Sequence, residues 1–383
     1  MKRPVNPMPY FDHNATSPLS PVARDAWLRA QDELWQNPSS PTRAAARVRN
    51  ALETARARLA SLLDARPGQI IFNSGATEGA STIIAWLARA SAPGARIALN
   101  PTEHPCILES ARRFFPDRIH WLPETLPLPE TLPLNPAAIQ INAATTAAVA
   151  IMAANNETGV IHPWREIAAA CRAAHVPHIC DATQWLGKLP ASGLAKSAGW
   201  LIASAHKFGG PKGVGFIKIA DQAESFVAHP GGAQEHGHRG GTENYPAIAA
   251  MVAALEDAGT RKMHLGPERL RWRAEFEHTI AQTIPGTQIV AQNRPPETRL
   301  WNTVMLLMPR EENTRWVAQL DKRGFQVSTG SACATGKGGP SHVLAAMGIP
   351  PDTARRAVRV SSSWETTRED WHALAAAFAG IFW

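Results

Sequence analysis

At 383 residues, with 44% hydrophobic and 19% charged side chains, the chain is long enough for a large core plus a smaller one and too apolar for a disordered protein. Its net charge of +7 is scattered singly along helix-like stretches such as RAAARVRNALETARARLA (43–60), a solvated-face pattern that argues against a nucleic-acid partner. Four separated cysteines without a C-x-x-C pair, no signal-peptide core in MKRPVNPMPYFDHN, and a most apolar stretch (143–154) too short to cross a bilayer lead us to expect a cytoplasmic protein with reduced thiols, away from membranes.

From about residue 70, short apolar runs alternate with amphipathic ones: QIIFN then TEGASTIIAWLARA, RIALN then HPCILESARRFF, AAVAIMAAN then PWREIAAACRAAH. HICDA, WLIASA and GVGFIKI read as three further strands, and the rhythm predicts a mostly parallel sheet covered by helices. LPETLPLPETLPL (122–134) repeats LPETLP in tandem, and its prolines predict a surface loop. After about residue 255 the helical RLRWRAEFEHTIAQTI leads to TVMLLM, NTRWVAQLDKRG, FQVSTG, SHVLAAMG, AVRVSSS and a last helix. Thr366-x-x-Glu369 and Thr367-x-x-Asp370 both suit a capping box at the start of that helix. The expected organisation is α/β: a large domain over residues 16–255, and a smaller α/β domain built from 1–15 and 256–383.

The chemistry gathers at predicted strand ends, where open α/β sheets bind ligands. Lys207 ends a strand beside a Gly-Gly-Pro-Lys-Gly turn, which suits either a Schiff-base lysine for pyridoxal phosphate or an ordinary surface turn. Asp181 ends HICDA, and its carboxylate suits a protonated pyridine nitrogen or a helix cap, with Gln184 in reach of a phenolic oxygen. Gly75-Ala76-Thr77 opens a helix after a strand and offers N–H groups and a hydroxyl to a phosphate, joined by Ser204 and His206. His104, in the turn after RIALN, suits either a ring that stacks and moves protons in the same crevice or an ordinary satisfied loop histidine. Asn156 follows another strand, and Arg359 is a lone cation in an apolar strand that a substrate carboxylate would suit. Cys333 lies in VSTGSACATGKGG, whose small residues describe a loop that delivers a thiol rather than a packing position. Cys106, Cys171 and Cys180 read as packing residues, and the H-x-H pair His236 and His238 lacks further ligands nearby, so no metal is expected.

These stretches resemble the cysteine desulfurases, in the class V aminotransferase group of pyridoxal phosphate enzymes. FDHNATSPL, IIFNSGATEGA, EHPCILES, ANNETGVIHP, CDATQWLGKLP, SAHKFGGPKGVG, GGAQEHGHRGGTEN, STGSACATG and PSHVLAAMG carry the match, in family order from residue 11 to about 348. The resemblance implies a fold-type I, aspartate aminotransferase-like homodimer that converts L-cysteine to L-alanine with pyridoxal 5'-phosphate. It implies Lys207 as the cofactor lysine, Asp181 at the pyridine nitrogen, Gln184 at the phenolic oxygen and His104 stacked on the ring. Gly75, Ala76, Thr77, Ser204 and His206 would take the phosphate, with Thr242 reaching the other subunit's site. Asn156 and Arg359 would bind the substrate carboxylate, and Cys333, in the loop 327–340 of the small domain, would carry the sulfur as a persulfide to an acceptor protein. Another class V enzyme, an aminotransferase or a selenocysteine lyase, would share everything but the need for Cys333. The family's usual Arg-Ser-Gly-Thr is Arg239-Gly240-Gly241-Thr242 here, and its Ser-Leu-Gly-Arg after the carboxylate-binding arginine is replaced by Ser361-Ser362-Ser363-Trp364.

Overall fold

The computed structural model describes residues 9–122, 141–221, 223–259, 263–330 and 341–383. The LPETLP repeat lies almost wholly outside them, and Cys333 with its loop from 331 to 340 lies outside them entirely.

Two helices lead in: α1 (Pro21–Glu33), capped by the Ser20 hydroxyl, and α2 (Arg43–Leu63), capped by Thr42. Then strands and helices alternate as β1 (Ile70–Asn73), α3 (Ala76–Ala90), β2 (Arg96–Leu99), α4 (Pro105–Phe114), β3 (Ile119–Trp121), β4 (Thr146–Ala150), α5 (Trp164–Ala173), β5 (His178–Asp181), α6 (Leu194–Ser197), β6 (Trp200–Ser204), β7 (Gly215–Lys218) and α7 (Tyr245–Asp257). The strands form one sheet in the order β1-β7-β6-β5-β4-β2-β3, parallel except where β7 pairs with β1 and β6. Because β7 is antiparallel to both neighbours, β1, β2, β4, β5 and β6 all end at the same edge, and β7 begins there.

Both faces of this sheet are buried, as the near-continuous apolar strands require. Phe72, Val149, Cys180, Leu201 and Phe216 point into one core with Leu52, Leu59 and Met251 of α2 and α7. Their sequence neighbours Ile71, Ala148, Ile179, Ile202 and Ile217 point into the other, against Ile83 of α3 and Ile107 of α4.

The rest of the chain runs α8 (Gly266–Thr283), β8 (Gln288–Ile289), β9 (Thr303–Leu307), α9 (Asn313–Lys322), α10 (His342–Ala346), α11 (Pro351–Ala354), β10 (Ala357–Ser361) and α12 (Arg368–Phe382). Its antiparallel sheet has the order β10-β9-β8 and packs on Phe276, Trp316, Trp371 and Phe378. Phe11, from the far end of the sequence, sits in that same core, and Tyr10 and Asp12 pair by single bridges with Gln326 and Ser361. FQVSTG contributes only such bridges, Gln326 to Tyr10 and Ser328 to Arg359, in place of a full strand. At the start of α12 the capping box is made by Thr367 and Asp370, while the Thr366 hydroxyl accepts from Ser363 N–H instead.

Candidate active site

The edge at which the strands running in one direction end gathers the polar residues of the large sheet. At the end of β1, Gly75 adopts φ +147, and an added Cβ there would lie 3.0 Å from Ser204 Oγ. That hydroxyl, at the end of β6, accepts from Ala76 N–H at 2.8 Å and so caps α3 from a different strand. Gly215 at the start of β7 closes the corner, because a Cβ on it would come within 2.6 Å of Gly75 Cα. No side chain of the Gly75 turn caps α3, so the N–H groups of Thr77 and Glu78 point out of the helix start, and the Thr77 side chain is exposed. His206 leans over the same corner with Nδ1 3.0 Å from Thr16 Oγ1, and burial beside Lys207 pushes its pKa down to about 4.

Lys207 and Gln184 meet at one backbone oxygen. Lys207 Nζ donates to Asn14 O and Ala15 O, both at 2.8 Å, and Gln184 Nε2 donates to Asn14 O at 3.0 Å. Asn14 in turn is fully buried: its Nδ2 donates to Thr303 Oγ1 (2.9 Å) and Asn156 O (3.1 Å), and its Oδ1 accepts from Asn302 Nδ2 (3.1 Å). Nothing in the local pattern of FDHNATSPL marks Asn14 for a role. Only the fold brings it under Lys207.

Asp181 is buried, with Oδ1 accepting from Thr183 N–H at 2.8 Å. No other described group donates to that carboxylate. His104 is the N-cap of α4, and its Nδ1 accepts from Cys106 N–H at 3.2 Å. A ring nitrogen that accepts is unprotonated, so a neutral His104 carries its proton on Nε2. Burial pushes its pKa below the ordinary value, while the charge of Asp181 pulls the other way and that of Lys207 adds to the fall.

On the substrate side, Arg359 is 2% exposed in β10, and the structure supplies the anion that a buried cation needs. Its Nη2 donates to Asp12 Oδ1 at 2.6 Å, while Nη1 donates to Gly330 O (2.9 Å) and Asn156 O (3.1 Å). Nε is buried without a partner, and the Asn156 side chain has no hydrogen bond among the described residues. Asp12, like Asn14, has no local sequence signal that marks it as a partner of the site.

A family model, Aminotransferase class-V, matches residues 9–374. A cysteine desulfurase from Enterobacter agglomerans is 36% identical over 94% of this chain and 88% of its own length. The cysteine desulfurase IscS of Dictyoglomus turgidum is 33% identical over 97% of this chain and 92% of its own. Among solved structures, a NifS-like protein superposes with a TM-score of 0.87 at 27% identity, over 98% of this chain and 99% of that one. The chain belongs to the class-V aminotransferases, among the cysteine desulfurases.

For a class-V aminotransferase the natural cofactor is pyridoxal phosphate, and the residues here fit it. Asp181 is a buried carboxylate with one oxygen uncommitted among the described residues, Lys207 is a primary amine just past the end of the neighbouring strand β6, and the Gly75 corner is a backbone cradle that a side chain would fill. In this cysteine desulfurase the other expected participants lie apart. Thr242 is exposed and makes no side-chain bond among the described residues, three positions beyond Arg239, which pairs with Glu78 in the first turn of α3 at 3.0 Å. His236 lies 3.6 Å from Glu53, whereas His238 Nδ1 contacts Phe226 O at 2.5 Å, and no three potential ligands converge on a metal among the described residues. Cys106, Cys171 and Cys180 are buried and free, with pKa values raised by burial, the Cys171 thiol to about 12. Among the described residues no helix is long and apolar enough to cross a membrane.

Proposed function

We propose that this chain converts L-cysteine to L-alanine and takes the sulfur onto Cys333 as a persulfide, for transfer to an acceptor protein. The observation that carries the reading is the gathering of Lys207, Asp181, His104 and the Gly75–Ser204 corner at one sheet edge, with Arg359 and Asn14 both donating to Asn156 O. Lys207, Asp181, Gln184 and His104 would hold pyridoxal phosphate by its ring, and Ala76, Thr77, Ser204 and His206 by its phosphate, with Thr242 of a second subunit completing the site in a cytoplasmic homodimer. When bound, the cofactor supplies an electron sink that makes an amino acid's Cα proton removable. Arg359 and the Asn156 amide orient the substrate carboxylate. Lys207 takes the Cα proton as a neutral amine, and His104, neutral with its proton on Nε2, donates one. The Cys333 thiolate attacks the substrate sulfur. A sulfur–sulfur bond forms as the carbon–sulfur bond breaks, its electron pair stays with the carbon, and protonation there gives alanine.

The test is the release of alanine and sulfide from L-cysteine with a thiol reductant, in wild type, Cys333→Ala and Lys207→Ala. Wild type forms both products. Cys333→Ala keeps the cofactor's visible colour and loses both, and Lys207→Ala loses colour and products together. A Cys333→Ala variant as active as wild type would move the reaction to another class-V chemistry at Lys207.

A further inference from the structure

Gln184 has both ends of its amide engaged by the protein. Nε2 donates to Asn14 O at 3.0 Å, and Oε1 accepts from Lys188 Nζ at 2.5 Å. A lysine ammonium or amine facing an amide donates, and a backbone carbonyl only accepts. The two partners therefore fix which way round the amide sits: oxygen towards Lys188, nitrogen towards Asn14 and Lys207. The second N–H of Gln184 has no acceptor among the described residues.

Lys188 is itself held in place by an unusual arrangement. It is 5% exposed, and its backbone oxygen accepts from Trp301 Nε1 at 3.0 Å, while the preceding Gly187 O accepts from Trp364 Nε1 at 2.7 Å. The two indoles lie against each other with centroids 4.0 Å apart. Trp364 is the residue that departs from the family's usual arginine, so the departure creates half of this clasp. Gly187 has φ +75, and a Cβ there would come 2.3 Å from Phe208 Cβ, which seats the turn directly against the neighbour of Lys207. Burial, with Lys207 and Arg359 nearby, pushes the Lys188 pKa well below its ordinary value.

We propose that Lys188, clasped by Trp301 and Trp364, is a positioning residue that locks the Gln184 amide so that it presents an N–H, never its carbonyl, to the phenolic oxygen of the cofactor. The inference rests on the cofactor reading above. With the cofactor bound, an N–H facing that oxygen would favour its anionic form, so losing the donor would raise the pH at which the visible spectrum changes.

The measurement is the pH midpoint of the visible absorption change of the holoenzyme, together with the affinity of the apoprotein for pyridoxal phosphate. Lys188→Met keeps length and packing and removes the donor. Its midpoint rises by about one pH unit and its cofactor affinity falls about tenfold, the size of one charge-assisted hydrogen bond. In a Gln184→Leu background the further change Lys188→Met moves the midpoint no more, because Lys188 acts through Gln184. Should Lys188→Met fail to fold, Trp364→Phe carries the test, since it keeps the ring pair and removes only the bond to Gly187 O; its midpoint rises in the same direction. An unchanged midpoint in the folded variant, or an equal shift with and without Gln184, overturns the inference while leaving the function intact. A wild-type protein that develops no visible band with pyridoxal phosphate overturns both.

Discussion

Replacing Asp12 by Asn removes one charge and almost nothing else, and it asks whether Arg359 is shared between the protein and its substrate. The guanidinium is 2% exposed, and Asp12, 2.6 Å away, is the only carboxylate in ion-pair range among the described residues. Asn keeps an acceptor oxygen in the same place, so the loss is the difference between a charge-assisted and a neutral hydrogen bond, about 2 kcal/mol of folding stability. Side-chain exposure of 20% at Asp12 keeps the loss below that of a fully buried pair. The same difference works in the opposite sense for a ligand carboxylate, which no longer competes with Asp12; up to about tenfold tighter binding follows from 1.4 kcal/mol. Thermal unfolding with and without saturating L-alanine reads both effects in one experiment. Asp12→Asn unfolds a few degrees lower when free and gains more from L-alanine than wild type does, and its KM for L-cysteine falls. A variant with wild-type stability, or one whose KM rises, would show that Asp12 orients Arg359 for the substrate rather than competing with it.

Asn14→Ala leaves Asn302 and Thr303 short of buried partners at once, so stability falls by about 2–4 kcal/mol and, as Asn14 O shifts under Lys207 and Gln184, cofactor retention on gel filtration weakens. Glu235→Gln breaks the buried pair with Arg56 (2.7 Å) in the segment leading to Thr242, and urea unfolding should record a loss of about 3 kcal/mol. His178 and His162 are held down from 6.5 to about 3 and about 4 by burial. The unfolded chain takes up those protons near pH 6.5 while the folded one refuses them, so the stability they contribute is whole above that pH and drains away towards pH 4. Neither ring nitrogen of His178 has a partner among the described residues, so His178→Leu makes the acid side of a urea-midpoint profile shallower without lowering stability at pH 8; an unchanged slope would refute the assignment.

The parts of the site that lie at strand ends were legible in the sequence, because strand, turn and functional residue are consecutive there. Asp181 closes an apolar run, Lys207 follows another, and Gly75 separates a strand from a helix; each motif carries its own placement. Short or edge elements were not. β8 spans only Gln288–Ile289 and β3 only Ile119–Trp121, too short for any periodicity to declare itself, and their pairing comes from neighbouring strands. Of two equally good capping boxes the structure uses Thr367 with Asp370, a choice between adjacent registers that local pattern does not separate.

Arg359 marks the deeper limit. A cation inside an apolar strand requires an anion, and that much follows from desolvation alone. Whether the anion belongs to a ligand or to the chain is a different question, because Asp12 lies 347 positions away and is brought there by Phe11 packing into the core of the second sheet. The same holds for Trp364, where a departure from the family pattern was visible but its partner, the turn at Gly187, is 177 positions distant. In both cases residue chemistry states a need and only topology names what meets it. Such long-range polar pairs beside a site are therefore where substitution experiments carry the most information, since each couples binding to folding through a single bond.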